Sequence, residues 1–88
     1  MTDTELREFL LSALREANVF GLDDSSECQS FVSGDSDIAF EKLDMDSLAA
    51  MEFCIAIETE TALSITPEEL QKLSTLGELV SRIRAVAR

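Results

Sequence analysis

The stretch DSLAAMEFCIAIETET, from Asp46 to Thr61, decides the fold of this chain. Leu48, Met51, Phe53, Cys54, Ile55 and Ile57 fall within it, with Glu52, Glu58 and Glu60 interspersed, and no Gly or Pro interrupts them. That pattern predicts a helix over Ser47 to Thr61, with Asp46 or Ser47 at its start, where a short polar side chain can accept a free backbone N–H. The apolar residues are too many for one narrow stripe, so some of them must face solvent or a partner. For Met51 and Ile55, core packing and partner contact both stay open.

Working outward, the C-terminal flank carries Thr66-Pro67-Glu68-Glu69, which combines an N-cap, a Pro at the first helical position and a capping-box Glu. A short helix to about Leu73 is expected there. Thr75 and Glu78 repeat the capping spacing and open a last helix through Leu76, Leu79, Val80, Ile83 and Val86. On the N-terminal side, Leu6, Phe9, Leu10, Ala13, Leu14 and Ala17 recur at helical steps behind a Thr2/Glu5 capping pair, giving a first helix from roughly Asp3 to Asn18. Between Val19 and Asp46 no period is sustained and Gly, Ser and Asp dominate, so that segment reads as a long loop pinned by Phe20, Phe31, Val32, Ile38, Phe40 and Leu43. Ile38 to Leu43 fits either an extended segment or a single helical turn. The expected fold is all-α: a single domain over residues 1–88, a small four-helix bundle with three longer helices, a short third one and a long loop after the first.

An 88-residue chain supports one thin core, since domains this small bury only about 60% of their unfolded surface. The core draws on Leu, Ile, Val, Ala, Met and five Phe, with no Trp or Tyr, and leaves little room for a buried catalytic cleft. The formal charge of −11 argues against nucleic acid and anionic membranes as partners, because those surfaces are bound by clustered Lys and Arg. Between Gly21 and Leu70 thirteen acidic residues face the single base Lys42, whereas Arg7, Arg15, Arg82, Arg84 and Arg88 fall in the terminal helices. Partners with basic patches are expected, a solvated acidic surface being the plainer reading. The opening Met-Thr-Asp-Thr-Glu shows no basic-then-apolar leader, so a cytoplasmic protein is expected and the two Cys are not read as a disulfide framework. Cys54 belongs to an apolar helix, and Cys28, in the loop, reads as an exposed thiol. The longest apolar run, Phe53 to Ile57, falls far short of the ~20 residues a membrane span needs.

The segment Leu43-Asp44-Met45-Asp46-Ser47-Leu48, with its Asp-Ser-Leu triplet at a helix entry, resembles the prosthetic-group attachment site of the acyl carrier protein family. Ile65 to Leu70 and Leu76 to Val80 also resemble later helices of that family, as does the long loop after the first helix. The resemblance implies that the Ser47 hydroxyl carries 4'-phosphopantetheine as a phosphodiester, flanked by Asp46 and Leu48. The arm's thiol would carry acyl groups as thioesters for fatty-acid, polyketide or related biosynthesis. It implies a phosphopantetheinyl transferase and synthase enzymes docking through basic patches on a monomeric carrier. Asp46, Glu52 and Glu58 match acidic family positions, Glu60 extends the series, and Leu48, Met51 and Ile55 match apolar partner or acyl-route positions. It further implies acyl chains entering the bundle, where Ala50, Ala56 and Thr61 leave space.

Two positions depart from the family pattern: Asp44 stands where many members have Gly, so that either the loop takes a different path or a further acidic contact is exposed, and Ala49 stands where many have an acid. The run Ser47 to Met51 is similar to peptidyl carriers, so an aminoacyl or peptidyl cargo of a nonribosomal-type pathway stays open. No residue is expected to be catalytic: the chain has no His, so Ser47 has no imidazole base, and a zinc site is disfavoured for the same reason. A calcium loop from Asp35 would need Gly at its sixth position and Glu at its twelfth, where Phe40 and Asp46 stand. An unmodified acidic helical adaptor is the rival of a different class.

Overall fold

The computed structural model describes residues 2–17, 19, 25–43 and 45–86. Five helices appear among them: α1 Asp3–Glu16, α2 Ser25–Ser33, α3 Ser47–Thr61, α4 Pro67–Gln71 and α5 Leu76–Val86. A 3-10 turn at Phe40–Lys42 leads into α3. The all-α architecture agrees with the sequence expectation. α1 packs against α2, α3 and α5, and α3 also packs against α4. Leu10, Leu14, Phe31, Ile38, Phe53, Ile57, Leu76, Leu79 and Ile83 fill the centre.

The capping residues define the helix starts. Thr2 accepts from the Glu5 N–H at 3.1 Å while the Glu5 carboxylate accepts from the Thr2 N–H at 2.9 Å. Thr66 and Glu69 repeat this reciprocal pair ahead of Pro67. At α5 only half of the box forms: Thr75 Oγ1 accepts from the Glu78 N–H, but the Glu78 carboxylate reaches the Ser74 N–H. The α5 entry has instead a distant cap, because Asp37 Oδ1 accepts from the Gly77 N–H at 2.8 Å.

The segment expected as loop contains α2, which corrects the four-helix count. Cys28, Phe31 and Val32 stand at i, i+3 and i+4 and turn toward α1, so a short amphipathic face exists within a Ser-rich composition that weakens helix propensity. Cys28 is accordingly 5% exposed, not the surface thiol expected. α2 ends on Gly34 at φ 88°, with Gly34 N–H donating to Phe31 O and Asp35 N–H to Ser30 O, a Schellman closure that glycine adopts without a Cβ clash. Arg7 ties α2 to α1: its guanidinium donates to Phe31 O at 2.9 Å and to Asp3 Oδ2 at 2.8 Å, and lies 4.7 Å from the Phe31 ring centroid.

Of the expected pins, Phe31, Ile38 and Leu43 are buried, Val32 and Phe40 half-buried, and Phe20 lies outside the described residues. Residues 37–40 run beside residues 74–77: Leu76 N–H donates to Ile38 O, Phe40 N–H donates to Ser74 O, and Ala39 bridges Thr75. Both expectations for this stretch are met in succession, an extended strap and then the 3-10 turn. Among the described residues no helix is long and apolar enough to cross a membrane.

Candidate functional site

Asp46 and Ser47 sit where the chain leaves the strap and its 3-10 turn and enters α3. Asp46 adopts extended backbone and its Oδ1 accepts the Ala49 N–H at 2.8 Å, so Asp46 is the N-cap and Ser47 the first helical residue. The Ser47 side chain is exposed. The N–H groups of Ser47 and Leu48 find no acceptor among the described residues, so two donors stand free beside the hydroxyl while the Asp46 carboxylate caps the Ala49 N–H.

The first turn of α3 holds no acidic residue, in contrast to the first turns of the other four helices, which carry Asp3 and Glu5, Glu27, Glu68 and Glu69, and Glu78. Ala49 is part of the reason. It is 5% exposed, so the small residue at this position belongs to the packed side of α3.

A helical advance of 100° per residue puts Ser47, Met51, Ile55, Leu48, Glu58 and Glu52 on one arc, and all six are exposed. Leu48, Met51 and Ile55 retain 65%, 53% and 60% of their surface, while Ala49, Ala50, Phe53, Cys54 and Ile57 turn inward. The surplus of apolar residues in this helix thus divides into a buried face and an exposed stripe. Glu60 is also exposed but lies about 140° round the helix from Ile55 and leaves this arc. Asp44 lies outside the described residues.

None of the carboxylates of Asp46, Glu52, Glu58 and Glu60 forms an ion pair among the described residues. Lys42, the one base of the acidic stretch, is engaged with Glu27 at 3.4 Å. The face beside Ser47 therefore offers uncompensated negative charge around an apolar stripe. Asp35 and Asp37 serve elsewhere: Asp35 accepts from the Ser33 hydroxyl, and Asp37 caps α5. Cys54 is a core residue whose thiol pKa is pushed up by burial and by the nearby Glu69 charge.

Next to this face lies a groove of about 570 Å³ between the 3-10 turn, α3 and α4. Leu43, Ala50 and Leu70 line it from the core, Phe40, Met45 and Leu73 are half-buried in its walls, and Glu41, Gln71, Ser74 and Thr75 complete the lining. Of the small residues expected to leave space, Ala50 lines it, whereas Ala56 and Thr61 do not. Gln71 and Ser74 carried no sequence signal, because isolated polar residues near a helix end read as solvated surface.

Comparison with known proteins adds three findings. A family described as the phosphopantetheine attachment site matches residues 17–83. Acyl carrier protein 2 of Ralstonia nicotianae is 29% identical over 86 residues, which cover 98% of this chain and 96% of that protein. No solved structure matches the chain.

Proposed function

This chain belongs to the acyl carrier protein family of phosphopantetheine-bearing domains, and from that premise we propose that it carries acyl intermediates tethered at Ser47 and delivers them to biosynthetic enzymes of fatty-acid, polyketide or related type. The observation that carries the assignment of Ser47 is its exposed hydroxyl at the first position of α3, beside open N–H groups and a first turn free of acid. A phosphodiester keeps one negative charge, and such a helix end favours an anion. When bound, the group supplies a flexible arm whose thiol holds the cargo as a thioester. Asp46 fixes the turn that presents Ser47, and burial of Ala49 holds the first turn against the core.

Leu48, Met51 and Ile55 form the apolar contact for the modifying transferase and for later enzymes, with Asp46, Glu52 and Glu58 steering their basic residues. Asp44, two residues before Asp46 in sequence, and Glu60, off that arc, are further acidic residues for partner contact. The acyl relative supports an acyl over an aminoacyl cargo.

Intact mass after incubation with coenzyme A, Mg2+ and a broad-specificity phosphopantetheinyl transferase tests the reading. Wild type should gain one phosphopantetheinyl mass and Ser47→Ala none. No gain on wild type, or an equal gain on Ser47→Ala, would defeat it in favour of an unmodified acidic adaptor. Loading the modified protein with a medium acyl chain should raise its melting temperature, and an unchanged value would put the cargo outside the bundle.

A further inference from the structure

Between the α5 entry and Ser47 the backbone is tied step by step. Asp37 Oδ1 accepts from both the Gly77 N–H and the Ile38 N–H at 2.8 Å. Leu76 N–H then donates to Ile38 O and Phe40 N–H to Ser74 O, each at 2.9 Å, which bonds the strap to the residues around the start of α5. The 3-10 turn carries the ties onward: Lys42 N–H donates to Ala39 O at 3.1 Å, and Leu43 N–H to Phe40 O and Met45 N–H to Leu43 O at 3.0 Å. Asp46 then caps α3, with Ser47 as its first residue. Among the described residues, the hydrogen bonds joining this run to a distant part of the chain are the three to residues 74–77 and the exposed Lys42–Glu27 contact at 3.4 Å.

Apolar contact holds the same segment without fixing its direction. Ile38 and Leu43 are buried, but burial is non-directional, whereas a hydrogen bond weakens steeply when donor and acceptor turn away from one another. Resting on the tether reading of Ser47, we infer that Asp37 is a positioning residue for modification of that serine. Its carboxylate latches the strap to Gly77, and the latched strap sets the direction in which the turn presents the Ser47 hydroxyl. Gly77 belongs to the same device, because the carboxylate lies where a Cβ would stand. Without the latch, Ile38 and Leu43 keep the segment on the bundle while the strap and turn exchange among orientations, only some of which present the hydroxyl. The transferase then meets a smaller fraction of competent carriers. That raises the KM for the carrier by about three- to ten-fold and leaves kcat, which is set once a competent carrier has bound, unchanged.

The test measures kcat and KM of the full-length carrier with a broad-specificity phosphopantetheinyl transferase, coenzyme A and Mg2+, transfer being scored by mass. Asp37→Ala should raise KM about three- to ten-fold with kcat unchanged. Asp37→Asn loses the same charge but keeps an accepting oxygen, and should return KM to within about two-fold of wild type. Gly77→Ala keeps every charge, displaces the carboxylate and should raise KM as Asp37→Ala does. The double variant is more stable than Asp37→Ala but still lacks the latch, so its KM should stay high. Thr2→Ala, which removes the side-chain cap of α1, should leave KM unchanged. An unchanged KM in Asp37→Ala or Gly77→Ala, an Asn variant as poor as the Ala variant, a double variant whose KM recovers with its stability, or an equal rise in Thr2→Ala would each overturn the inference. All of these outcomes leave attachment at Ser47 standing. A wild type that gains no mass would strike the attachment reading itself, and this inference with it.

Discussion

Replacing Gly77 by Ala should destabilise the protein although it introduces a better helix former into α5, and the cause is a residue forty positions away in sequence. A Cβ on Gly77 would lie 2.8 Å from Asp37 Cγ and 2.9 Å from its Oδ1, with Oδ2 closer still. The carboxylate must swing away and give up two bonds of 2.8 Å, one from the Gly77 N–H and one from the Ile38 N–H. Loss of a capping carboxylate costs about 1 kcal/mol, with a span of roughly 0.5–2. Two bonds to one charged acceptor put this case in the upper half of that span. Ala in a helix recovers about 0.5–1 kcal/mol. The net is about 0.5–1.5 kcal/mol of destabilisation, or roughly 3–10 °C in melting temperature for a domain of this size.

The decisive measurement is a double-mutant cycle by urea unfolding. Asp37→Ala alone should cost about 1.5–2 kcal/mol, since it gives up the same two bonds. In that background the clash is gone, so adding Gly77→Ala should stabilise by about 0.5–1 kcal/mol, reversing its sign. The same sign in both backgrounds would refute the steric account. The strap that Asp37 anchors also walls the groove through Ala39 and Phe40, so Gly77→Ala should weaken acyl-dependent stabilisation as well.

Other expectations follow from single positions. Ala62 closes α3 at φ 62°, a left-handed conformation costing a residue with a Cβ about 1 kcal/mol, so Ala62→Gly should raise the unfolding free energy by up to that amount, read as a higher urea midpoint with an unchanged m-value. Leu48→Ala and Ile55→Ala should alter stability by no more than about 0.5 kcal/mol while lowering kcat/KM for the transferase, whereas the fully buried Phe53→Ala should cost about 3–5 kcal/mol. The Glu5 carboxylate is held below the usual glutamate range by hydrogen bonds from the Thr2 N–H and hydroxyl. Its folded pKa is depressed, so its contribution is present above the unfolded pKa and lost as pH falls through the folded one. Wild type should therefore exceed Glu5→Gln in melting temperature near neutral pH, the gap closing below about pH 4. A gap that stays constant with pH would show that the charged form is not what caps α1.

The sequence declared its capped helices and hid its composite surfaces. Pro67 and the Thr–Glu pairs speak through neighbours three residues apart, so local chemistry located α1 and α4 to within two residues of their ends. α2 went unseen because its helical signal rests on Cys28, Phe31 and Val32 alone, amid Ser residues whose side chains compete for backbone bonds. What makes it a helix is tertiary: the inward face meets α1, and Arg7 holds the Phe31 carbonyl. In α3 the excess of apolar residues was legible, but not which ones stay exposed. That is decided by packing against α1 and α4, which takes Phe53, Cys54 and Ile57 and leaves Leu48, Met51 and Ile55 outside. The groove was illegible for a similar reason: Phe40, Ala50 and Ser74 are distant in sequence and meet only through the strap.

The exposed stripe also sets how strongly a partner can hold. Complete burial of a Leu, Met or Ile contributes about 1.5–3 kcal/mol. Leu48, Met51 and Ile55 are already about 40% covered, so together they offer a partner roughly 3–5 kcal/mol. Association itself costs about 4–15 kcal/mol, which this stripe alone does not exceed. The balance must come from charge, and exposed ion pairs add only about 0–1 kcal/mol each. Charge acts more on encounter than on residence: a −11 chain whose α3 carboxylates are unpaired draws a basic surface in quickly and releases it readily, and salt slows the encounter without prolonging the residence. Short residence suits the proposed hand-over of one cargo to successive enzymes. Enlarging the stripe, for example by Glu52→Leu, would lengthen residence on the first enzyme at the expense of transfer to the next.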